Sequence, residues 1–117
     1  MAKPNTIRAF MLFEAATFIV AALIHSGVLI SGYEHSAARI AESVIAIVLL
    51  AGVVSVWVRP AVTRVAGLTA QGFALLGTLV GVFTIIVGVG PRTVPDVAYH
   101  ICIIIVLAFG LVVTARQ

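Results

Sequence analysis

Charge is what this sequence has least of. Lys, Arg, Asp and Glu together make up 9% of its 117 residues, against roughly a quarter in an ordinary soluble domain. That scarcity excludes a soluble globular domain and a disordered chain, and it leaves no basic surface on which nucleic acid would be held. Cys102 is the only cysteine, which excludes a disulfide scaffold and any Cys-x-x-Cys metal site. Met1 and Met11 are the only methionines, and neither lies near the polar residues discussed below, so a thioether copper(I) site is not expected. Proline is confined to Pro4, Pro60, Pro91 and Pro95, which leaves long stretches of chain without a helix breaker.

What is abundant is apolar side chain, 62% of the residues with a mean hydropathy of +1.26. Crossing the hydrocarbon core of a bilayer takes roughly 20 apolar residues at 1.5 Å each. Four segments qualify, at about 7–30, 37–58, 65–89 and 94–115. Between them stand the expected breakers Ser31-Gly32-Tyr33, Arg59-Pro60 and Gly88-Val89-Gly90-Pro91. Short connections make consecutive helices antiparallel, so the expected fold is an all-α, integral-membrane, four-helix up-down-up-down bundle. Residues 1–117 are expected to form a single domain. The first segment carries Glu14 and is longer than a signal-peptide core, so it reads as a span and not as a cleavable leader.

The few basic residues are unevenly placed. Lys3, Arg8, Arg59, Arg64 and Arg116 fall on one side of the expected spans, and only Arg39 and Arg92 on the other. The positive-inside rule then puts both termini in the cytoplasm, with a bacterial inner membrane as the expected location. Helix three carries Gly77 and Gly81 in a small-xxx-small step, which lets helices approach closely, either inside the bundle or across a dimer. A bundle this thin is expected to form a homo-oligomer or to join a larger membrane complex.

Against this background the polar residues stand out, because a charge at mid-bilayer costs about 2.5–3.5 kcal/mol on insertion scales. Glu14 and His25 lie on the first span, and His35, Arg39 and Glu42 at the start of the second. Gln71 is on the third, and Asp96 and His100 are on the fourth. At 1.5 Å per residue, His25, Glu42 and His100 each fall about 7–10 Å inside the outer end of their helices, at one level. Asp96, Arg39 and His35 lie nearer the surface.

Two histidines and a carboxylate are a common ligand set for Zn, Fe or Mn. The expected metal ligands are therefore His25, Glu42 and His100, with Asp96 and His35 as further candidates and Arg39 and Tyr99 orienting them. Haem b held axially by His25 and His100 is an alternative, as are a His–carboxylate proton relay and a headgroup or quinone pocket. The same residues can also serve only to hold the helices together by polar contacts. No nucleophile–base pair points to metal-free catalysis. Glu14, near the cytoplasmic side with Gln71 at a similar depth, is the candidate for a proton path, since Glu14 and His25 share a helix face about 16 Å apart.

In length, helix number and the placing of Glu14 within Phe13-Glu14-Ala15-Ala16-Thr17-Phe18, the chain resembles the small multidrug resistance transporters. The resemblance implies proton-coupled transport through Glu14. The sequence departs from that family in lacking its aromatic pattern on helices two and three, in its clear charge bias, and in carrying three histidines and Asp96.

Overall fold

The computed structural model describes residues 3–117. Among them there are four long helices and no strand: α1 (Pro4–His25), α2 (Ser36–Val58), α3 (Thr63–Ile86) and α4 (Val94–Ala115), with a short 3-10 turn at Pro60–Val62 leading into α3. All four are long and apolar enough to cross a membrane. The longest dimension, 43 Å, is that of a bilayer with its headgroup regions.

The helix ends explain where the expected spans were too long. α1 stops at His25, not near Ile30, although Val28, Leu29 and Ile30 continue the apolar run. Gly27 adopts φ +81°, its N–H donates to Ile24 O at 3.1 Å and the Val28 N–H donates to Leu23 O at 3.2 Å. This is a Schellman closure, in which a residue of left-handed conformation folds the chain back over the last turn. The same device ends α3 at Ile86 and not at Val89. Gly88 has φ +87°, and the Gly88 and Val89 N–H groups donate to Ile85 O and Thr84 O. At the other end of α1, Pro4 begins the helix three residues earlier than expected, since its fixed φ and missing N–H suit a first turn.

The helices bury one side each and leave the other apolar and exposed. Ile7, Met11, Leu49, Val56 and Leu107 are fully buried, while Val58, Leu76, Val94 and Ile105 are more than three-fifths exposed. Exposed valine, leucine and isoleucine in such number are the surface that lipid would cover. α1 packs most extensively on α2, α2 on α3, and α3 on α4, with much thinner contact between α1 and α4. Small residues permit the close approaches. A Cβ on Gly77 would come within 2.8 Å of the Ile45 side chain, and one on Gly81 within 2.9 Å of His100 Nε2. The Gly77–Gly81 step is thus used inside the bundle, between helices of one chain.

Candidate functional site

The helix ends around His25 are tied together by histidine. The His35 N–H donates to His25 O at 2.9 Å. Its ring caps α2, with Nδ1 accepting from the Ala38 N–H at 3.1 Å. Its Nε2 donates to Val89 O at 3.1 Å beyond the end of α3. Both nitrogens of His35 are therefore committed to main chain. α4 begins with a capping box, in which Thr93 Oγ1 accepts from the Asp96 N–H while the Asp96 carboxylate accepts from the N–H and hydroxyl of Thr93. The box fixes the Asp96 carboxylate at the first turn and leaves its other oxygen free to face α1.

That oxygen meets His25. Asp96 Oδ1 lies 2.9 Å from His25 Nε2, and Glu42 Oε1 lies 2.6 Å from His25 Nδ1. All three side chains are buried, at 5%, 7% and 7% exposure for His25, Glu42 and Asp96. One imidazole is held edge to edge between carboxyls from two other helices. Each contact needs one proton, so the three groups hold two between them. They carry a net negative charge unless a carboxyl takes up a further proton.

The expected convergence of His25, Glu42 and His100 is replaced by His25, Glu42 and Asp96. His100 is turned to its own helix, with Nδ1 donating to Asp96 O at 2.7 Å, and its Nε2 faces Gly81. It shares with Glu42, His35 and Tyr99 a small cavity of about 140 Å³. Arg39 is exposed on α2 beside Ile19, Leu23 and Ser43, and it forms no ion pair among the described residues. Tyr99 is half-buried, its hydroxyl 3.2 Å from Thr17 Oγ1 and its ring packed edge-on against Phe18. The sequence reading missed Thr17, Thr93 and Thr114. The Thr-x-x-Asp signature at Thr93 was the available signal for the first of the outer contacts.

As placed, these donors are not gathered around a common metal or haem position. A metal ligand must turn a lone pair toward a shared point. His25 has both ring nitrogens on carboxylates, and the two carboxylates flank its opposite edges. Among the described residues no group of three or more His, Cys, Asp or Glu side chains is arranged to hold a metal ion. Axial ligation by His25 would require breaking one of its two contacts.

Beside the cluster, against α1 and α4, lies a larger cavity of about 540 Å³. Its walls are apolar, with Ala16, Val20, Ala21 and Ile24 from α1 and Pro95 from α4. Thr17, His25, Tyr33, Asp96 and Tyr99 supply the polar groups. The rim residues Phe13, Val20 and Ile30 are about half exposed, so the opening lies in the apolar surface. A cavity of this size, mostly apolar with a few convergent polar groups, has the make-up of a small-molecule site.

Farther along the bundle, Glu14 and Gln71 are brought side by side and are fully buried. Gln71 Nε2 donates to Thr114 Oγ1 at 2.8 Å and to Gly67 O at 3.2 Å. Comparison with protein-family models, with curated proteins and with solved structures finds no match to this chain. The likeness to small multidrug resistance transporters therefore extends no further than length, helix number and Glu14.

Proposed function

We propose that this protein is an integral-membrane binding protein that takes a lipophilic cation from the bilayer into the cavity between α1 and α4. The observation that carries the reading is the adjacency of that cavity to the His25–Glu42–Asp96 cluster. The cavity opens among exposed apolar side chains, so its natural source of ligand is lipid. Its polar end holds two carboxyls against one imidazole, an excess of negative charge. Phe13, Tyr33 and Tyr99 line the cavity, and aromatic rings are the side chains over which a cation is stabilised. Entry of a positive charge beside Asp96 would favour release of one of the protons held by the cluster, which couples binding to proton exchange.

The same proposal includes the arrangement in the membrane: four spans running up, down, up and down, both termini cytoplasmic, in a bacterial inner membrane. Arg8 stacks over the Trp57 ring at 5.5 Å, and Arg64 Nε donates to Ala115 O at 3.4 Å. These contacts gather the start of α1, the end of α2, the start of α3 and the end of α4 with most of the basic residues. The thin α1–α4 seam favours a second copy or a partner subunit in the assembled state.

The test is binding of tetraphenylphosphonium to the full chain in nanodiscs, followed by calorimetry. Saturable binding that weakens about tenfold or more in Asp96→Asn is expected, a loss of about 1.4 kcal/mol. Equal binding by wild type and Asp96→Asn, or tighter binding of a neutral quinone analogue, would overturn the proposal. A visible absorption spectrum and elemental analysis of the same sample decide the metal and haem alternative.

A further inference from the structure

The second polar site, at Glu14, is independent of the cavity and of its ligand. Glu14 and Gln71 are fully buried, and both oxygens of Glu14 and Oε1 of Gln71 have no hydrogen-bond partner. The Gln71 amide cannot be turned round to relieve this. The Thr114 hydroxyl has one hydrogen, and it is donated to Gly110 O at 2.7 Å. Toward Gln71 the hydroxyl can only accept, so the group facing it must be the amide N–H₂. The second contact of Nε2, to Gly67 O, requires the same orientation. Oε1 is thereby pointed at α4, where it occupies the space that a Cβ on Gly110 would fill. Glu14 Oε2 lies 3.2 Å from that same position.

Two acceptors thus face each other across a glycine, beside the Phe10 ring, with no donor between them among the described residues. An arrangement of acceptors alone is unstable in a dry interior. One added hydrogen resolves it. We infer that Glu14 and Gln71 form a proton-binding site, in which a proton carried on the Glu14 carboxyl is donated to Gln71 Oε1 across the face of Gly110. A metal cation fits less well, because hard cations collect six or more oxygens and only three are free here.

The charged and titratable surroundings are sparse. On α2 there is no titratable residue between Glu42 and Val58, on α3 only Arg64, and on α4 none between Cys102 and Ala115. Arg8, on α1, is turned to Asn5 and Trp57, and Arg64 to Ala115 O. Among the described residues nothing of opposite charge is placed to hold Glu14 as a carboxylate.

The test is infrared spectroscopy of the full chain in nanodiscs, with ¹³C-labelled glutamate to separate glutamyl from aspartyl bands. At neutral pH the C=O stretch of a protonated glutamic acid is expected. With Glu42→Gln as the background, so that no glutamyl band of the His25 cluster overlaps, it should vanish in Glu14→Gln and persist in Asp96→Asn. In Gln71→Leu it should move to the frequency of an acid without a hydrogen bond. Should Glu14→Gln fail to fold, the wild-type band and its Gln71→Leu shift suffice. Absence of the band from the wild type, its persistence in Glu14→Gln on that background, or its emergence only when sodium is removed would overturn the inference. None of these outcomes depends on whether the outer cavity binds a cation.

Discussion

His25 Nδ1 and Glu42 Oε1 stand 2.6 Å apart although 17 residues of chain separate them, and the opposite edge of the same ring reaches Asp96, 71 residues away. One side chain therefore joins the end of the first helix to the starts of the second and the fourth. Removing it would leave two buried carboxyls facing a void and each other. His25→Ala should lower stability by about 3–5 kcal/mol, the range for breaking a buried ion pair from one side. Glu42→Gln keeps an acceptor oxygen for the ring and should cost about 1 kcal/mol or less, as polar contacts between membrane helices generally do, whereas Asp96→Asn leaves one oxygen to serve both the ring and the Thr93 N–H and should cost more, about 1–2 kcal/mol. Denaturant titrations in mixed micelles would measure the three. Equal losses for all of them would show that the imidazole is not the shared centre.

Two glycines decide where helices stop, and they can be tested apart from any function. Gly27 at φ +81° and Gly88 at φ +87° hold conformations that cost an alanine roughly 1 kcal/mol. Gly27→Ala and Gly88→Ala should each lower stability by about that amount, read as a shift of the thermal midpoint. At Gly27 the loss should be the larger, because a Cβ there also comes within 2.9 Å of Glu34 Oε1.

These turns also mark how far the sequence could be read. The existence of four long apolar helices, and the ends of α2 and α4 near Val58 and Ala115, follow from hydropathy alone. The ends of α1 and α3 do not, because Val28-Leu29-Ile30 and Val87 extend the apolar signal past a turn set by a single glycine. The level of the polar cluster was legible from depth along each helix. The partners were not: depth places His25, Glu42, Asp96 and His100 near one plane, but the rotation of α4 is set by the packing of its buried face, Ile103, Leu107 and Gly110, in the bundle. That rotation brings Asp96 to His25 and turns His100 toward Gly81. The Glu14–Gln71 pairing could be guessed from depth, whereas the direction of the amide depends on Thr114 and Gly110, which no periodicity reveals.

Glycines inside α3 offer a sharper contrast, because neighbouring positions of the same helix meet opposite surroundings. A Cβ on Gly67 would lie 2.7 Å from Thr114 Cγ2 and 2.9 Å from Ile7 Cγ2, while one on Gly72 would meet nothing within 4 Å. Gly67→Ala forces α1 and α4 apart and should cost about 1–3 kcal/mol. Gly72→Ala should leave stability unchanged or raise it by up to about 1 kcal/mol through helix propensity. If Gly72→Ala instead weakened the protein or broke up an oligomer seen by mass photometry, Gly72 would belong to a contact between copies.

The proposed orientation rests on five basic residues at one end of the bundle against two at the other, and the single cysteine makes it directly measurable. Cys102 is exposed on the apolar flank of α4, where a membrane-impermeant maleimide should not reach it. After Cys102→Ser, one new cysteine can be introduced at a time. Ser31 lies between α1 and α2, Arg59 between α2 and α3, and Gln117 beyond α4. With both termini in the cytoplasm, Ser31→Cys should label from outside in intact cells, and Arg59→Cys and Gln117→Cys only after permeabilisation. The opposite pattern would invert the protein and place the cavity and the His25 cluster in the inner leaflet. A mixture of both patterns at every position would mean dual insertion, in which five basic residues against two do not suffice to fix the direction.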